Sequence, residues 1–240
     1  MNRVLVAVIT YNEEKSLART LEDLKQNMPD ADVVVFDNGS TDRTRSVAIA
    51  AGVPVVSHCV NSGSSMGTVV SYLLYADRCG YECVCQFDGD GQHIGSELLK
   101  IIGPILAGTA DYVIGSRFLA KEGFQSYFLR RLGIHLFARL DSWIVGQRLT
   151  DVTSGFRAYG PRVYKYFANF HRHELADTNQ LVIISHFAGA RILEVPIKMR
   201  AREHGASEFR SLAALFFPLK GIVNILGCWL QRKQVGNTWA

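Results

Sequence analysis

The sequence has 240 residues, of which 48% are hydrophobic and 20% are charged. These proportions are those of an ordinary globular protein and argue against disorder. The net charge of +4 is compatible with phosphate-bearing substrates or an anionic membrane surface, but it is too small to indicate nucleic-acid binding. Five cysteines without CxxC spacing predict a reducing, cytoplasmic compartment and no zinc site.

Two further features of the sequence concern membranes and secretion. The N-terminus leads directly into a β-branched run, so we expect no signal peptide. No run of about 18 uninterrupted apolar residues occurs, so we expect no transmembrane helix.

The first half of the sequence alternates short β-branched or apolar runs with helical patterns. Strands are predicted at 3–9, 32–36, 53–57, 81–87 and 111–115. Helices are predicted between them, with one ending at Ala51 and others at about 66–78 and 95–107. This alternation predicts an α/β fold with a mainly parallel sheet, flanked by helices and joined by right-handed crossovers.

The second half departs from this alternation. It predicts a long amphipathic helix, a polar stretch, two helices, a strand, a polar loop and a last helix. The ranges that can be assigned are 126–146 for the first helix, 150–159 for the polar stretch, 192–197 for the strand and 200–208 for the loop. We interpret this half as an elaboration of the same domain.

A pair of carboxylates follows the strand predicted at 81–87. Asp88 and Asp90 are separated by Gly89, and Gln92 comes two residues later. Glycines permit a tight turn, and the oxygen ligands can then point at one hard cation. Ligands bind at such strand ends in open α/β sheets, so we predict a metal–diphosphate site. The alternative is that these residues form a solvated turn without a cation. In either case we expect His93 to cap or line the turn rather than bind the metal.

Two earlier strand ends carry similar chemistry. The first strand opens through TYNEE into a helix, whose free N–H groups suit an anionic ligand. The second strand ends in DNGSTD, a turn followed by a helix cap. Asp37 in this segment either contacts a ligand, which we favour, or caps the next helix.

The motifs ITYNEE, FDNGSTD, FDGDGQH, IGSRF, DVTSGFRAY and EVPI occur in this order. Arg202, Gly205 and Ser207 then form R-x-x-G-x-S. The chain thereby resembles the GT-A-fold, family 2 inverting glycosyltransferases over about residues 3–225. Within this family it is similar to the dolichyl/polyprenyl-phosphate sugar synthases.

The resemblance implies roles for individual residues. It implies donor-substrate contacts by the residues Thr10, Tyr11, Glu13, Asp37, Asn61, Asp88 and Gly89. Asp88, Asp90 and Gln92 would hold a divalent cation, Mg²⁺ or Mn²⁺. The catalytic set would be Asp88 and Asp90 with three basic residues that gather phosphates, Arg117, Arg131 and Arg202.

The sequence also departs from the family pattern. Asn38 stands where many members have a second aspartate, and Ser65 and Ser71 stand where glycine is frequent. Gln180 lies about where many lipid-phosphate members have glutamate, and Glu208 stands where lysine is usual. The last two departures concern the acceptor rather than the donor.

The resemblance implies direct displacement at the anomeric carbon of a nucleotide diphosphate sugar. A lipid phosphate acceptor is already anionic and needs no strong base, whereas a sugar hydroxyl needs one. Candidate bases are Asp151, Asp177 and Glu174, and none of them is compelling. Transfer to a hydroxyl in polysaccharide or glycolipid assembly, a non-catalytic nucleotide-sugar-binding module and nucleotidyl transfer are the alternatives.

The domain boundaries follow from the same reading. We expect a glycosyltransferase domain over 1–210, with a nucleotide-sugar-binding half (1–118) and an acceptor-binding half (119–210). A C-terminal amphipathic helix over 211–240 would pack on the core, form a dimer seam or contact the membrane.

A second feature also suggests membrane contact. Arg131, His135 and Arg139 form a basic stripe, which suits an anionic bilayer. The opposite side of the helix carries Leu129, Leu132, Leu136 and Leu140. We therefore expect a peripheral enzyme at the cytoplasmic face of the membrane, with a homodimer or a membrane subunit as further possible partners.

Overall fold

The structure is a computed structural model that describes residues 3–61, 66–120, 128–170, 178–201 and 221–230. Its strands are Val4–Thr10 (β1), Asp32–Asp37 (β2), Val55–Ser57 (β3), Cys83–Asp88 (β4), Tyr112–Ser116 (β5), Arg157–Tyr159 (β6) and Ile192–Pro196 (β7). Its helices are Leu17–Asn27 (α1), Thr44–Ala50 (α2), Met66–Cys79 (α3), Leu98–Leu106 (α4), Phe128–Val145 (α5), Pro161–Phe170 (α6), Thr178–Phe187 (α7) and residues 221–230 (α8).

The strands form one sheet in the order β3-β2-β1-β4-β6-β5-β7. The pairs β1–β2, β1–β4, β2–β3 and β5–β7 are parallel. The predicted α/β fold with a mainly parallel sheet between helices is therefore confirmed. The predicted strands of the first half all form, with bounds that differ by at most two residues at either end.

Strand β6 is the main difference from the sequence-based expectation. Its residues lie in the stretch 150–159, which was predicted only as polar, yet β6 pairs antiparallel with both β4 and β5. The pattern is hidden because the strand begins with a charged residue, Arg157, which is fully buried. Its guanidinium donates to the hydroxyl of Tyr112 and to the backbone carbonyls of Val152 and Ser154.

The two faces of the sheet build separate hydrophobic layers. Alternate residues of a strand point to opposite faces, so Val4, Val6 and Val8 belong to one layer and Leu5 and Ala7 to the other. The first layer includes residues of α1 and α4, and the second includes residues of α3, α5, α6, α7 and α8.

The cysteines of β4 lie on one face of the sheet, as predicted. Cys83 and Cys85 are both fully buried in the layer that contains α1 and α4. Burial raises the pKa of both thiols, so they pack as small neutral groups.

Helix α8 packs against α5 through its Ile222, Ile225 and Cys228 side. A Cβ built on Gly221 would lie 2.5 Å from the ring of Phe137, so the glycine permits a close approach between the two helices. On α5, Leu136 is 44% exposed and lies beside the exposed Arg139, so the predicted apolar side of this helix is only partly correct. Within the described ranges, no helix is long and apolar enough to cross a membrane.

Candidate functional site

The carboxyl ends of three adjacent strands bring predicted site residues together. Thr10 at the end of β1 is in register with Asp37 at the end of β2. On the other side of β1, Ile9 is in register with Asp88 at the end of β4. Ligands bind at this edge in open α/β sheets, so the sheet topology alone assembles the predicted donor site.

The turn after β4 is held close to the end of β1. A Cβ on Gly89 would lie 2.6 Å from Cγ2 of Thr10, so a side chain at this position would push the turn away. Gly91 has a φ of +80°, which favours glycine. The N–H of Gln92 donates to Oδ1 of Asp90 at 3.0 Å, which fixes the second carboxylate relative to the turn.

The side chain of His93 contacts both the backbone and the carboxylate of Asp88. Its Nδ1 accepts a hydrogen bond from the Asp88 N–H at 2.9 Å, and its Nε2 lies 3.5 Å from Oδ2 of Asp88. The imidazole stacks on Phe156, with ring centroids 4.5 Å apart, and meets Phe87 edge-on. Burial lowers the pKa of His93 to about 4, so the ring is neutral at pH 7 and carries its proton on Nε2.

Other contacts confine the Asp88 carboxylate. Nε2 of Gln86 lies 3.4 Å from its Oδ1, and Oε1 of Gln86 accepts a hydrogen bond from the Tyr72 hydroxyl at 3.0 Å. A Cβ on Gly155 would lie 2.7 Å from Oδ2. Sequence reasoning missed Gln86, Tyr72 and Gly155. A glutamine inside the otherwise apolar run CVCQF was the one available signal.

The residues at this turn fit a divalent cation of the Mg²⁺ or Mn²⁺ type. Asp88 and Asp90 supply hard carboxylate oxygens from one short turn, and Oδ2 of Asp88 lies 3.5 Å from Nε2 of the neutral His93. Nε2 of Gln92 points to the carbonyl of Arg200 at 3.5 Å, so its amide oxygen is the atom that could serve a cation.

Among the residues that the structure describes, no group of three His, Cys, Asp or Glu side chains could hold a metal ion.

The loops after β1 and β2 are joined by hydrogen bonds. Oδ1 of Asn12 accepts from the N–H of Thr41 at 2.9 Å, and the N–H of Asn12 donates to Oγ of Ser40 at 2.9 Å. The N–H of Glu13 donates to Oγ1 of Thr44 at 2.8 Å, and Tyr11 is 38% exposed beside them. These contacts form the wall where a nucleoside is predicted to bind.

Asp37 is fully buried in this wall. Its carboxylate accepts from the N–H of Ser40 at 3.2 Å and lies 3.3 Å from Nε of Arg45. The bond to Ser40 lies in the turn before α2, and the N-cap residue of that helix, Arg43, makes no side-chain cap hydrogen bond, so Asp37 does not cap the helix; the ligand contact remains a prediction. Asn38 donates from Nδ2 to Oδ1 of Asn61 at 3.1 Å, a bond that an aspartate at position 38 could not donate.

Arg117 forms a buried ion pair with Asp151. Its Nε lies 2.6 Å from Oδ2 and its Nη2 lies 2.7 Å from Oδ1 of that carboxylate. Burial alone would lower the pKa of Arg117, but the charges of Asp151 and then Asp88 outweigh it and raise the pKa. Glu194 on β7 fixes this segment by accepting from the N–H groups of Thr150 and Asp151 at about 2.8 Å.

The contacts around Asp88 leave several predicted residues untested. Arg131 lies half-buried on α5. Arg202 and the candidate bases Glu174 and Asp177 lie outside the described residues, as do Ser65 and Glu208. The third candidate base, Asp151, is fully buried and engaged by Arg117.

Comparisons with known proteins agree with this geometry. The undecaprenyl-phosphate mannosyltransferase of Micrococcus luteus is 32% identical over 86% of this chain and 87% of its own length. The polyprenol monophosphomannose synthase of Mycolicibacterium smegmatis is 30% identical over 86% of this chain and 80% of its own length.

Solved structures show the same fold. Glucosyl-3-phosphoglycerate synthase from Mycobacterium tuberculosis, in complex with Mn²⁺ and UDP-glucose, matches with a TM-score of 0.63 and 19% identity. The match covers 95% of this chain and 79% of that one, and it confirms the predicted GT-A fold. The family model described as "Glycosyl transferase family 2" matches residues 5–170, and the chain belongs to this family of glycosyltransferases.

Proposed function

We propose that this protein transfers a sugar, with inversion, from a nucleotide diphosphate sugar to a polyprenyl or dolichyl phosphate at a membrane surface. Family membership and the two bacterial relatives named for polyprenol and undecaprenyl phosphate support this proposal. The relatives carry the choice of acceptor, and the state of Asp151, the one candidate base among the described residues, agrees with it. This carboxylate is buried and paired with Arg117, so it is unsuited to take a proton from a sugar hydroxyl.

The donor half of the reaction is assigned to the sheet edge. Tyr11, Asp37 and Asn61 would contact the nucleoside, and Thr10 and Gly89 would border the diphosphate. Asp88, Asp90 and Gln92 would hold Mg²⁺ or Mn²⁺, which when bound supplies Lewis-acid stabilisation of the charge on the departing nucleoside diphosphate. The neutral His93 and Gln86 keep the Asp88 carboxylate in place for this role.

The acceptor half is assigned to Arg117. Its guanidinium is fixed by Asp151, so it offers a preorganised positive charge near Asp88. A phosphate monoester brings its own negative oxygen, which attacks the anomeric carbon while the bond to the nucleoside diphosphate breaks. The chain needs only to bind and orient that phosphate. Arg131 and Arg202 are proposed to assist it.

Metal-dependent transfer from a panel of UDP-, GDP- and dTDP-sugars to a polyprenyl phosphate tests this function. We expect one donor to turn over faster when the lipid phosphate is added, and we expect a metal chelator to abolish transfer. Asp90→Asn should be inactive, whereas the control Asp30→Asn, on an exposed residue, should retain activity.

The outcome of this assay separates the proposal from its nearest alternative. An acid-labile lipid product identifies a sugar phosphate linkage. Donor turnover that ignores the lipid and responds to a glycan instead would show that the acceptor is a sugar hydroxyl. Binding of a donor without turnover under any condition would contradict the enzymatic proposal for this chain.

A further inference from the structure

A buried tyrosine of α3 reaches the strand that ends in a proposed metal ligand. Tyr72 is fully buried, and its hydroxyl donates to Oε1 of Gln86 at 3.0 Å. Gln86 lies on β4 two residues before Asp88, so the two side chains point to the same face of the sheet. Nε2 of Gln86 lies 3.4 Å from Oδ1 of Asp88. One amide therefore connects the tyrosine of a helix with the carboxylate at the strand end.

The directions of these hydrogen bonds determine how the amide is oriented. A buried hydroxyl without a hydrogen-bond partner destabilises a protein, and Gln86 supplies the acceptor for Tyr72. Burial raises the pKa of Tyr72, so its hydroxyl keeps the proton and stays a donor. Since Oε1 of Gln86 accepts this hydrogen bond, its Nε2 faces Asp88 and donates. The reversed amide would place two acceptor oxygens against each other.

The surroundings of Tyr72 and Gln86 leave rotation of the amide as the easiest change. The ring of Tyr72 meets Phe36 edge-on with centroids 6.0 Å apart and lies 6.1 Å from the ring of Tyr159, so packing fixes the position of the hydroxyl. A Cβ on Gly155 would lie 3.2 Å from Nε2 of Gln86, so the amide is packed against the backbone there. The last torsion of a glutamine has a broad, roughly two-fold preference, so hydrogen bonds select between the two orientations.

We propose that Tyr72 is a positioning residue for the Asp88 carboxylate and acts through Gln86. The hydroxyl fixes the amide, and the amide N–H holds Oδ1 of Asp88 at the turn proposed to bind Mg²⁺ or Mn²⁺. Helix α3 thereby contributes to cation affinity although it supplies no proposed ligand. Only the metal role of Asp88 rests on the proposed function, because the contact between Tyr72 and Gln86 requires neither metal nor donor.

Binding of Mn²⁺ to the whole chain tests the proposal without a transfer assay. The probes are Mn²⁺ with UDP and Mn²⁺ with GDP, and the electron paramagnetic resonance signal of free Mn²⁺ gives the dissociation constant. Tyr72→Phe removes only the hydroxyl and should raise this constant by roughly tenfold or more, as the loss of an outer partner of a metal ligand does. Tyr75→Phe is the matched control and should bind Mn²⁺ as the wild type does. Its ring lies about one turn further along α3 and also meets Phe36 edge-on, at 5.7 Å.

A second substitution separates positioning from packing. Gln86→Met removes the amide and should also weaken Mn²⁺ binding. Adding Tyr72→Phe to this variant should change the dissociation constant no further, because the hydroxyl then has no amide to orient. The double variant leaves neither the hydroxyl nor the amide unpaired, so its comparison with Gln86→Met remains possible if Tyr72→Phe alone fails to fold.

Three results would overturn the proposal. They are wild-type Mn²⁺ affinity in a folded Tyr72→Phe protein, an equal loss in Tyr75→Phe, and additive losses from Tyr72→Phe and Gln86→Met.

Urea denaturation of the metal-free protein keeps this proposal separate from the proposed function. The double variant Tyr72→Phe/Gln86→Met should lower the urea midpoint by less than the sum of the two single variants. Additive midpoints would show that the hydroxyl does not hold the amide. Non-additive midpoints in a protein that binds no Mn²⁺ would support the contact and contradict the metal role given to Asp88 under the proposed function.

Discussion

Nδ1 of His93 accepts a hydrogen bond from the backbone N–H of Asp88 at 2.9 Å, and Nε2 of the same ring lies 3.5 Å from Oδ2 of that aspartate. One imidazole thus contacts both the backbone and the carboxylate of a proposed metal ligand. The aromatic rings of Phe87 and Phe156 hold it in this orientation. Partners of this kind orient metal ligands in other proteins.

We therefore expect His93→Ala to raise the Mn²⁺ concentration that gives half-maximal transfer by roughly 10–100-fold. The physical reason is that the Asp88 carboxylate loses the ring that limits its motion. His93→Asn, whose side-chain oxygen can accept the Asp88 N–H, should recover part of the loss. Metal titration of activity is the measurement. An unchanged metal requirement in a folded His93→Ala protein would contradict the assignment.

Gly155→Ala is expected to abolish metal-dependent transfer. Its Cβ would lie 2.7 Å from Oδ2 of Asp88, too close for the carboxylate to stay in place. Gly133→Ala is the matched control, because a Cβ on Gly133 meets no atom within 4 Å and the residue lies within α5. The control should be active and more stable by about 0.5–1 kcal/mol. Equal activities of the two variants would show that the Asp88 site tolerates displacement.

Asp151→Asn is expected to destabilise the protein strongly. It leaves the buried guanidinium of Arg117 without its charge partner, which costs about 3–5 kcal/mol when one member of a buried pair is removed. Urea denaturation measures the change in free energy of unfolding. Arg117→Met/Asp151→Asn should be less destabilised than the sum of the two single variants. Additive effects would mean that the two side chains do not interact as the structure shows.

The ion pair between Asp111 and Arg191 predicts a small dependence of stability on pH. Hydrogen bonds from Arg191 lower the pKa of Asp111 below its ordinary value of 3.8. The stabilisation is therefore fully present above the ordinary pKa and is lost as pH falls through the lowered value. Because Arg191 is about half exposed, solvent screens the pair and the contribution to the free energy of unfolding should be small.

Thermal unfolding of wild type and Arg191→Gln at several pH values measures this effect. The difference in Tm between the two proteins should be constant near neutral pH and shrink below about pH 4. A difference that grows as pH falls would reverse the expected sign.

The family could be predicted from the sequence, and so could the strand ends that carry the proposed donor site. The apolar runs at β1, β2 and β4 identify strands because buried parallel strands are apolar on both faces. The turn residues Asp88, Gly89 and Asp90 follow one of these strands in the chain itself. Carboxyl ends of parallel strands meet at one edge of the sheet, and the structure places Thr10, Asp37 and Asp88 there.

The contacts that support the site depend on residues distant in sequence. Gly155 reaches Asp88 because β6 inserts antiparallel between β4 and β5, and its buried Arg157 concealed the strand. Asp151 could serve as a base by its residue type, and only its pairing with Arg117 excludes that role. Such pairings follow from tertiary packing and leave no local periodicity.

The sequence by itself determined the α/β class and the strand ends that carry the polar residues, among them the two proposed metal ligands Asp88 and Asp90, because these depend on local order along the chain. The tertiary structure decided which carboxylates form ion pairs and which helix faces are buried in the core. Leu226 and Ile225 are adjacent apolar residues, and only the packing of α8 on α5 buries one and exposes the other. Burial of a side chain depends on residues that are distant in the sequence, and the local pattern of residues does not specify them.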